Sequence, residues 1–351
     1  MSFLIYTLYN IMSVNLMKEH LIFNILFKWK YQIASLKAWL SFEKDIKGIN
    51  SITYVARDAD KDWIFGAKVR RLSKFSKLNA KPYFHAKLRN LPQTDAYFFI
   101  FPNYFCRAIR HNPFILNRKN IVMYTHQHWT NSYSKTHISW CLNKAHKVIC
   151  LNSITKKQLI EVGVKKEKIE VIHIASSPET FYPHERKSGA VGFCCAYSDR
   201  KNPELIFNII KNMPEKNFYI IGVLWENFDK YEELSSLANF TYINNADYAE
   251  YPKLYNKIDT FISASFLEGG PVPLLEAMLS NCFPIASKTG FCNDIIDHGV
   301  NGFLFDAHTN YEEVIEFIRQ ADLIQTNTRE TVLEHSWGNC SQKIDSLFLK
   351  D

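Results

Sequence analysis

Absences narrow the options first. The eight cysteines stand at 106, 141, 150, 194, 195, 282, 292 and 340, with no C-x-x-C pair and no Cys/His spacing of a zinc site. Such scatter in a chain of 351 residues excludes a small disulfide-stapled scaffold and reads as reduced thiols in a cytosolic protein. No repeat with a period of roughly 20–50 residues is visible, and no low-complexity tract, which excludes solenoids and propellers. The start, MSFLIYTLYNIMSVNLM, precedes the first charge, Lys18, and lacks the basic n-region and small-residue cleavage site of a signal peptide. Ser2, Thr7, Asn10, Ser13 and Asn15 make it a poor membrane span. A buried or surface-lying helix is expected there. Between Asp95 and Glu161 acidic residues are missing altogether.

That gap is part of a larger asymmetry. Residues 1–175 carry 28 basic and 10 acidic side chains, and residues 176–351 carry 14 and 25, so the net charge of +7 divides into +18 and −11. The first half should therefore present a strong positive field, suited to an anionic partner such as a membrane surface, a nucleic acid or a phosphorylated substrate. A hydrophobic content of 47% allows a substantial core in each half.

Strand and helix patterns alternate along the chain. MKEHLIFNILFKWKYQIASLKAWL (17–40) reads as helix. SITYVA, AYFFIF, IVMYTH, HKVICLNS and IEVIHIA read as strands. After SITYVA, Asp60 or Asp62 is expected to cap a helix that turns Trp63, Ala67, Leu72, Phe75 and Leu78 inward and Arg70, Arg71, Lys74 and Lys77 outward. A polar stretch with two prolines, ASSPETFYPHERKSG (175–189), is the linker candidate, and the charge changes sign there. AVGFCCAY, NFYIIGV, FTYIN, TFISAS and FPIAS then form a second set, with helices at PELIFNIIKNM, PLLEAMLSN and YEEVIEFIRQ. The fold class is α/β, with two doubly wound domains and the ligand in a crevice at the carboxyl ends of the strands. The expected boundaries are 1–180, with extra N-terminal helices, 181–335, and a C-terminal helix, 336–351, that returns to the first domain.

The most informative stretch is EGGPVPLLEA (268–277). Gly269 and Gly270 permit φ > 0 and close approach to a ligand. Pro273 suits a first helical turn, whose free N–H groups and dipole favour an anion. Glu268 in the loop and Glu276 in the first turn are expected to reach the same crevice. Two carboxylates flanking an anion seat fit a ligand with hydroxyls at both ends and phosphate between, the layout of a nucleotide-sugar. Glu276 as a mere dipole partner and Glu268 as a solvated loop residue are the simpler alternatives.

FLEGGPVPLLEAMLSNCFPIASKTGFCNDIIDHGVNGFLF resembles the donor-site signature of the retaining family 4 glycosyltransferases, which have the GT-B fold. The E-x7-E spacing, LLEA, the strand around Pro284 and the turn at Asn301 and Gly302 carry the likeness. KAHKVICLNSITKKQLIEVGVKKEKIEVIHIASSPETFYP is similar to the family's interdomain region. The resemblance implies that Glu268 contacts donor-sugar hydroxyls and Glu276 the ribose. Gly269, Gly270, Pro271 and Val272 then approach the sugar and diphosphate. Lys201 in SDRKNP fits the family's lysine. Ala196 stands where the family arginine is usual, so Arg200 is expected to replace it. His126 in MYTHQHW is expected to face the donor sugar, ahead of His128. No family glycine-rich loop follows SITYVA; DADKDWIFG stands there. Trp225 is a candidate to flank the donor, with core packing as the simpler role. The implied reaction retains anomeric configuration and needs neither cofactor nor divalent metal. The partners are a nucleotide-sugar donor and a glycan or lipid-linked acceptor in cell-surface polysaccharide or lipopolysaccharide synthesis. The expected location is cytoplasmic, peripheral on an anionic membrane, with no nucleic acid bound. The rival readings are an inactive nucleotide-sugar binder, suggested by Ala196, a GT-B-fold epimerase, and a basic nucleic-acid-binding protein, for which no motif is present.

Overall fold

Two runs of six strands form two parallel sheets in the computed structural model, which describes residues 48–125 and 135–350 with Trp29, Gln32, Ile33, Leu36 and Lys37. The first sheet holds β1 (Ile52–Ala56), β2 (Ala80–Phe84), β3 (Ala96–Phe99), β4 (Lys119–Tyr124), β5 (Lys147–Cys150) and β6 (Ile169–Val171), in the order β2-β1-β3-β4-β5-β6. The second holds β7 (Val191–Cys194), β8 (Phe218–Gly222), β9 (Phe240–Asn244), β10 (Thr260–Ser263), β11 (Phe283–Ser287) and β12 (Phe303–Phe305), in the order β12-β11-β10-β7-β8-β9. All pairings are parallel; Ile52 lies opposite Ala96, and Thr260 opposite Val191. Central strands such as β1, β3, β10 and β11 are buried along their whole length. Coverage by helices on both faces requires such continuous apolar runs. The half-exposed β2, AKPYF, lies at the sheet edge, where Pro82 can turn its missing N–H away from a partner strand.

Helices α1 (Ile64–Phe75), α2 (Pro102–His111), α3 (Lys135–Leu142) and α4 (Ser153–Glu161) belong to the first domain. The second has α5 (Pro203–Lys211), α6 (Tyr231–Ser236), α7 (Tyr251–Tyr255), α8 (Val272–Leu279), α9 (Cys292–Ile295) and α10 (Tyr311–Ala321). The strand order reverses between β1 and β3 in one sheet and between β7 and β10 in the other. Those are the switch points where α/β sheets open a crevice.

The chain crosses between domains twice. Ser176 on the way out donates its N–H to the His335 carbonyl on the way back, at 3.0 Å. The last helix, α11 (Trp337–Leu349), then lies on α1. There Ser341 donates to the Leu72 carbonyl at 2.9 Å, and Asp345 accepts from Ser76 at 2.8 Å and from the Lys77 N–H at 2.7 Å.

Around α1 the structure corrects the sequence reading. Neither Asp60 nor Asp62 caps the helix; Trp63 is the N-cap residue, without a side-chain bond. Asp60 accepts from Arg57 and Tyr104 instead. Trp63 is 73% exposed and Phe75 43%. The buried stripe runs through Gly66, Val69, Leu72 and Ser73, and Trp63 and Phe75 stand at the two ends of the helix, off that stripe. The expected helix over 17–40 lies outside the described residues.

Candidate donor site in the interdomain cleft

Chain direction builds the site before any side chain does. Past β7 the chain makes a single 3-10 turn, Asp199–Lys201. It then passes through Asn202, whose φ of 57° is left-handed, into Pro203 at the start of α5. Asparagine tolerates that conformation, and proline preorganises the first helical turn. Past β10 the loop 264–271 leads into α8. The two loops leave adjacent strand ends and are stitched together. Phe266 N–H donates to the Arg200 carbonyl at 2.9 Å, and the Arg200 guanidinium donates to the Leu267 carbonyl at 2.5 Å.

Glu268 is the focus of this junction. Its Oε1 accepts from Lys201 Nζ at 2.5 Å and from Ser265 Oγ at 2.8 Å, and lies 3.1 Å from Arg200 Nη1. Burial by itself would push this carboxyl up, but Lys201, Arg200 and the bond from Ser265 outweigh it and hold the group below the usual glutamate range. It is therefore an ionised acceptor at neutral pH. Arg200, the substitute inferred for the missing arginine at Ala196, does reach the carboxylate that Lys201 holds.

The glycines act by closeness rather than by unusual φ. Gly270 is not among the positive-φ residues. A β-carbon there would lie 2.7 Å from the Phe291 ring and 3.2 Å from Ile174, so only glycine lets the loop pass between the domains. The Gly269 carbonyl accepts from Asn152 Nδ2 at 2.6 Å, while Asn152 Oδ1 caps α4 through the Thr155 N–H at 2.7 Å. One asparagine thus ties the loop to the first domain. At the start of α8, Leu274 N–H bonds to the Pro271 carbonyl at 2.9 Å. Pro271 and Pro273 have no N–H, which leaves Val272 as the backbone donor facing the cavity at this helix end.

Two expected site residues are placed differently. Glu276 does not open onto the crevice. It is 2% exposed, and its carboxylate accepts from Tyr248 at 2.6 Å and from Tyr255 at 3.1 Å. Burial pushes it up to about 7, against the two tyrosine bonds and the nearby Arg71. Arg71 of the first domain lies over the Tyr248 ring, 5.3 Å from its centre. Trp225 is a core residue. Its ring is fully buried against Tyr197 and Phe228, and its N–H donates to the Cys195 carbonyl at 3.0 Å. The adjacent glycine explains that fit, because a β-carbon at Gly222 would stand 2.0 Å from the same carbonyl. His126 and His128 lie outside the described residues.

A cavity of about 260 Å³ brings the remaining groups together: Lys201, Arg200, Glu268 and Val272 from the second domain, and Ile64 and Lys68 from the first. Lys68 was missed in the sequence, hidden in the basic run KVRRLSK. Its one signal is its position four residues before Leu72, on the buried face of α1. It is 7% exposed, and burial pushes its ammonium down to about 8. The first domain contributes a separate pocket of about 270 Å³ lined by Arg57, Asn103, Tyr104 and Arg107.

Known proteins share this fold. Residues 182–332 match the family model described as "Glycosyl transferases group 1". No curated protein matches the chain by sequence. Among solved structures, a glycosyltransferase from Rickettsia africae is similar at a TM-score of 0.70 and 16% identity, covering 87% of this chain and 100% of that one. Anabaena Alr3699/HepE in complex with UDP and glucose gives 0.67 and 15%, covering 87% and 100%. The lipopolysaccharide outer core galactosyltransferase WaaB gives 0.67 and 15%, covering 85% and 99%. Residues 182–332 are thus similar to the group 1 glycosyltransferases, and the chain as a whole has the two-domain GT-B fold of these solved structures.

Proposed function

We propose that this chain is a retaining glycosyltransferase that moves a sugar from a nucleotide-sugar to a glycan or lipid-linked acceptor. The observation that carries the reading is the contact of Glu268 with Lys201 and Arg200 at the carboxyl ends of β7 and β10, beside the start of α8. Transfer needs the glycosidic C–O bond to weaken while charge builds on the departing diphosphate. Lys201, Arg200 and the Val272 N–H are fixed donors for that charge. Glu268, kept ionised, accepts hydroxyl bonds from the sugar. When the diphosphate arrives, Lys201 is shared between it and Glu268, so the pair orders the cation in advance. In this reading the positive charge comes from side chains, and a chelator leaves the rate unchanged.

Ribose binding by Glu276 requires the Tyr248 hydroxyl, which seals this carboxylate, to give way. That same seal favours the second reading, a nucleotide-sugar binder without transfer activity. The acceptor side is the first domain, where Arg57 and Arg107 in one pocket suit an anionic or phosphate-bearing acceptor. Exposed Trp63, Ile64 and Phe75 beside Arg70 and Lys74 support peripheral contact with an anionic bilayer, hence a cytoplasmic membrane-face location and a role in cell-surface glycan synthesis.

A thermal-shift screen with UDP-, GDP- and ADP-sugars tests the reading. One donor is expected to raise the melting temperature, and Lys201→Met to weaken it at least about tenfold. Release of nucleoside diphosphate on adding acceptor separates transferase from binder. No shift with any donor overturns both readings.

A further inference from the structure

We infer that Lys68, on the first domain, is a third binding cation for the donor diphosphate and supplies from across the cleft the charge that Ala196 cannot. The inference rests on the nucleotide-sugar reading above and deepens it.

Lys68 has three properties that a structural lysine does not combine. It lies on the buried face of α1, only 7% exposed. No hydrogen bond or ion pair satisfies it among the described residues. It lines the same cavity as Lys201, Arg200, Glu268 and Val272. Its Nζ is no sealed core cation: it keeps access to the cavity, and the cost of largely desolvating it is one that a ligand there relieves.

Charge and position then say what the ligand is. The cavity contains three cations, Lys68, Arg200 and Lys201, against the single carboxylate of Glu268, a net of +2. A diphosphate diester, with one charge on each phosphate, neutralises it. Arg200 is partly used up, since its guanidinium already bonds to the Leu267 carbonyl. After β1 this chain has the carboxylates of Asp58, Asp60 and Asp62 and then a helix that begins at Ile64. A β-carbon at Gly66 would meet the Lys61 carbonyl at 2.1 Å, so α1 starts tight against that turn, and Lys68 on it lines the cleft cavity. Because Lys68 and Lys201 sit on different domains, a diphosphate between them also draws the domains together.

The environment makes the idea testable by pH. Facing Lys68 are Glu268, Arg200 and Lys201 of the second domain and the thiols of Cys195 and Cys340. Burial pushes those thiols up to about 11 and about 12, and Glu268 is held low. Burial brings the Lys68 ammonium down to about 8, so it loses its charge between about pH 7 and 9, while Glu268 and the two thiols do not change theirs there. Anion binding favours its charged form, so affinity must fall as pH rises through this window, by about tenfold.

The experiment is calorimetric titration of the full chain with UDP, GDP and ADP, and with the monophosphate of the one that binds best. Lys68→Met is expected to weaken the diphosphate at least about tenfold and the monophosphate less, to abolish the fall in affinity with pH, and to raise the melting temperature of the empty protein. Lys68→Arg is expected to recover most of the affinity. If wild type binds a diphosphate and Lys68→Met binds it equally well with the same pH profile, the proposal fails while the function stands. It fails in the same way if Lys68→Met lowers the melting temperature and weakens both nucleotides alike. If wild type binds none of the three diphosphates, the function falls and this inference with it.

Discussion

Glu268 and Glu276 are eight residues apart in the chain, and their surroundings drive them in opposite directions. Glu268 meets two cations and stays charged; Glu276 meets two phenols in a dry enclosure, and burial pushes it up to about 7. The second shift has a sign that can be checked. A carboxyl whose folded value is raised holds its proton better in the folded state. Its stabilising contribution is therefore present below the ordinary glutamate value and lost as pH rises through about 7. Glu276→Gln is expected to remove this dependence. The variant should melt at a higher temperature than wild type at pH 8 and similarly at about pH 5, in a thermal-unfolding series without ligand. If it also ceases to bind nucleotide, the carboxylate is the ribose ligand that the family resemblance implies.

At the scale of elements, α1 carries the most varied tasks. One face packs under α11 through Leu72 and Ser341, another brings Lys68 to the cleft, and its ends expose Trp63, Ile64 and Phe75. In the proposed contact with an anionic bilayer, each of the exposed Arg70, Lys74 and Lys77 contributes about 1 kcal/mol near the surface. In flotation with vesicles containing phosphatidylglycerol, wild type is expected to rise with the lipid. Trp63→Ser with Phe75→Ser should cut the bound fraction severalfold without lowering the melting temperature, because both side chains are exposed. Binding to neutral vesicles at the same level would exclude the electrostatic part.

The whole molecule depends on a small polar joint between its domains. Asp294 on α9 accepts from the Ser153 N–H at the start of α4 at 2.8 Å, from the Ser153 hydroxyl, and from His173 at 3.1 Å. Burial would push this carboxyl up; His173 and the Ser153 bonds prevail and hold it below the usual aspartate range. A depressed value contributes stability that is present above the ordinary aspartate pKa and lost as pH falls through the folded one. Asp294→Ala removes the bonds from Ser153 and from His173, while Asn152 still caps α4. It is expected to lower the apparent melting temperature at pH 7 by about 2–4 °C and to leave a flatter loss of stability below about pH 4. Scanning calorimetry across that range checks both.

The sequence by itself determined the architecture and the second domain's half of the site. Continuous apolar strands alternating with amphipathic helices leave little choice but two doubly wound sheets, and the strand-loop-helix pattern around EGGPVPLLEA places a carboxylate, close backbone and a helix start at one strand end. Lys201 and Arg200 were reached through the family resemblance, as a basic pair after the second domain's first strand; that this strand adjoins β10 was decided by the sheet. What depended on distant segments was decided by tertiary structure. Tyr248 and Tyr255 cover Glu276 from 28 and 21 residues away in the chain. The fit of Trp225 under Cys195 reflects sheet packing that no local period encodes. Lys68 reads as one more surface lysine until α1 is laid against the cleft. Periodicity assigns a side chain to a face of its own element, but which faces meet across two domains is set by packing between residues more than a hundred positions apart.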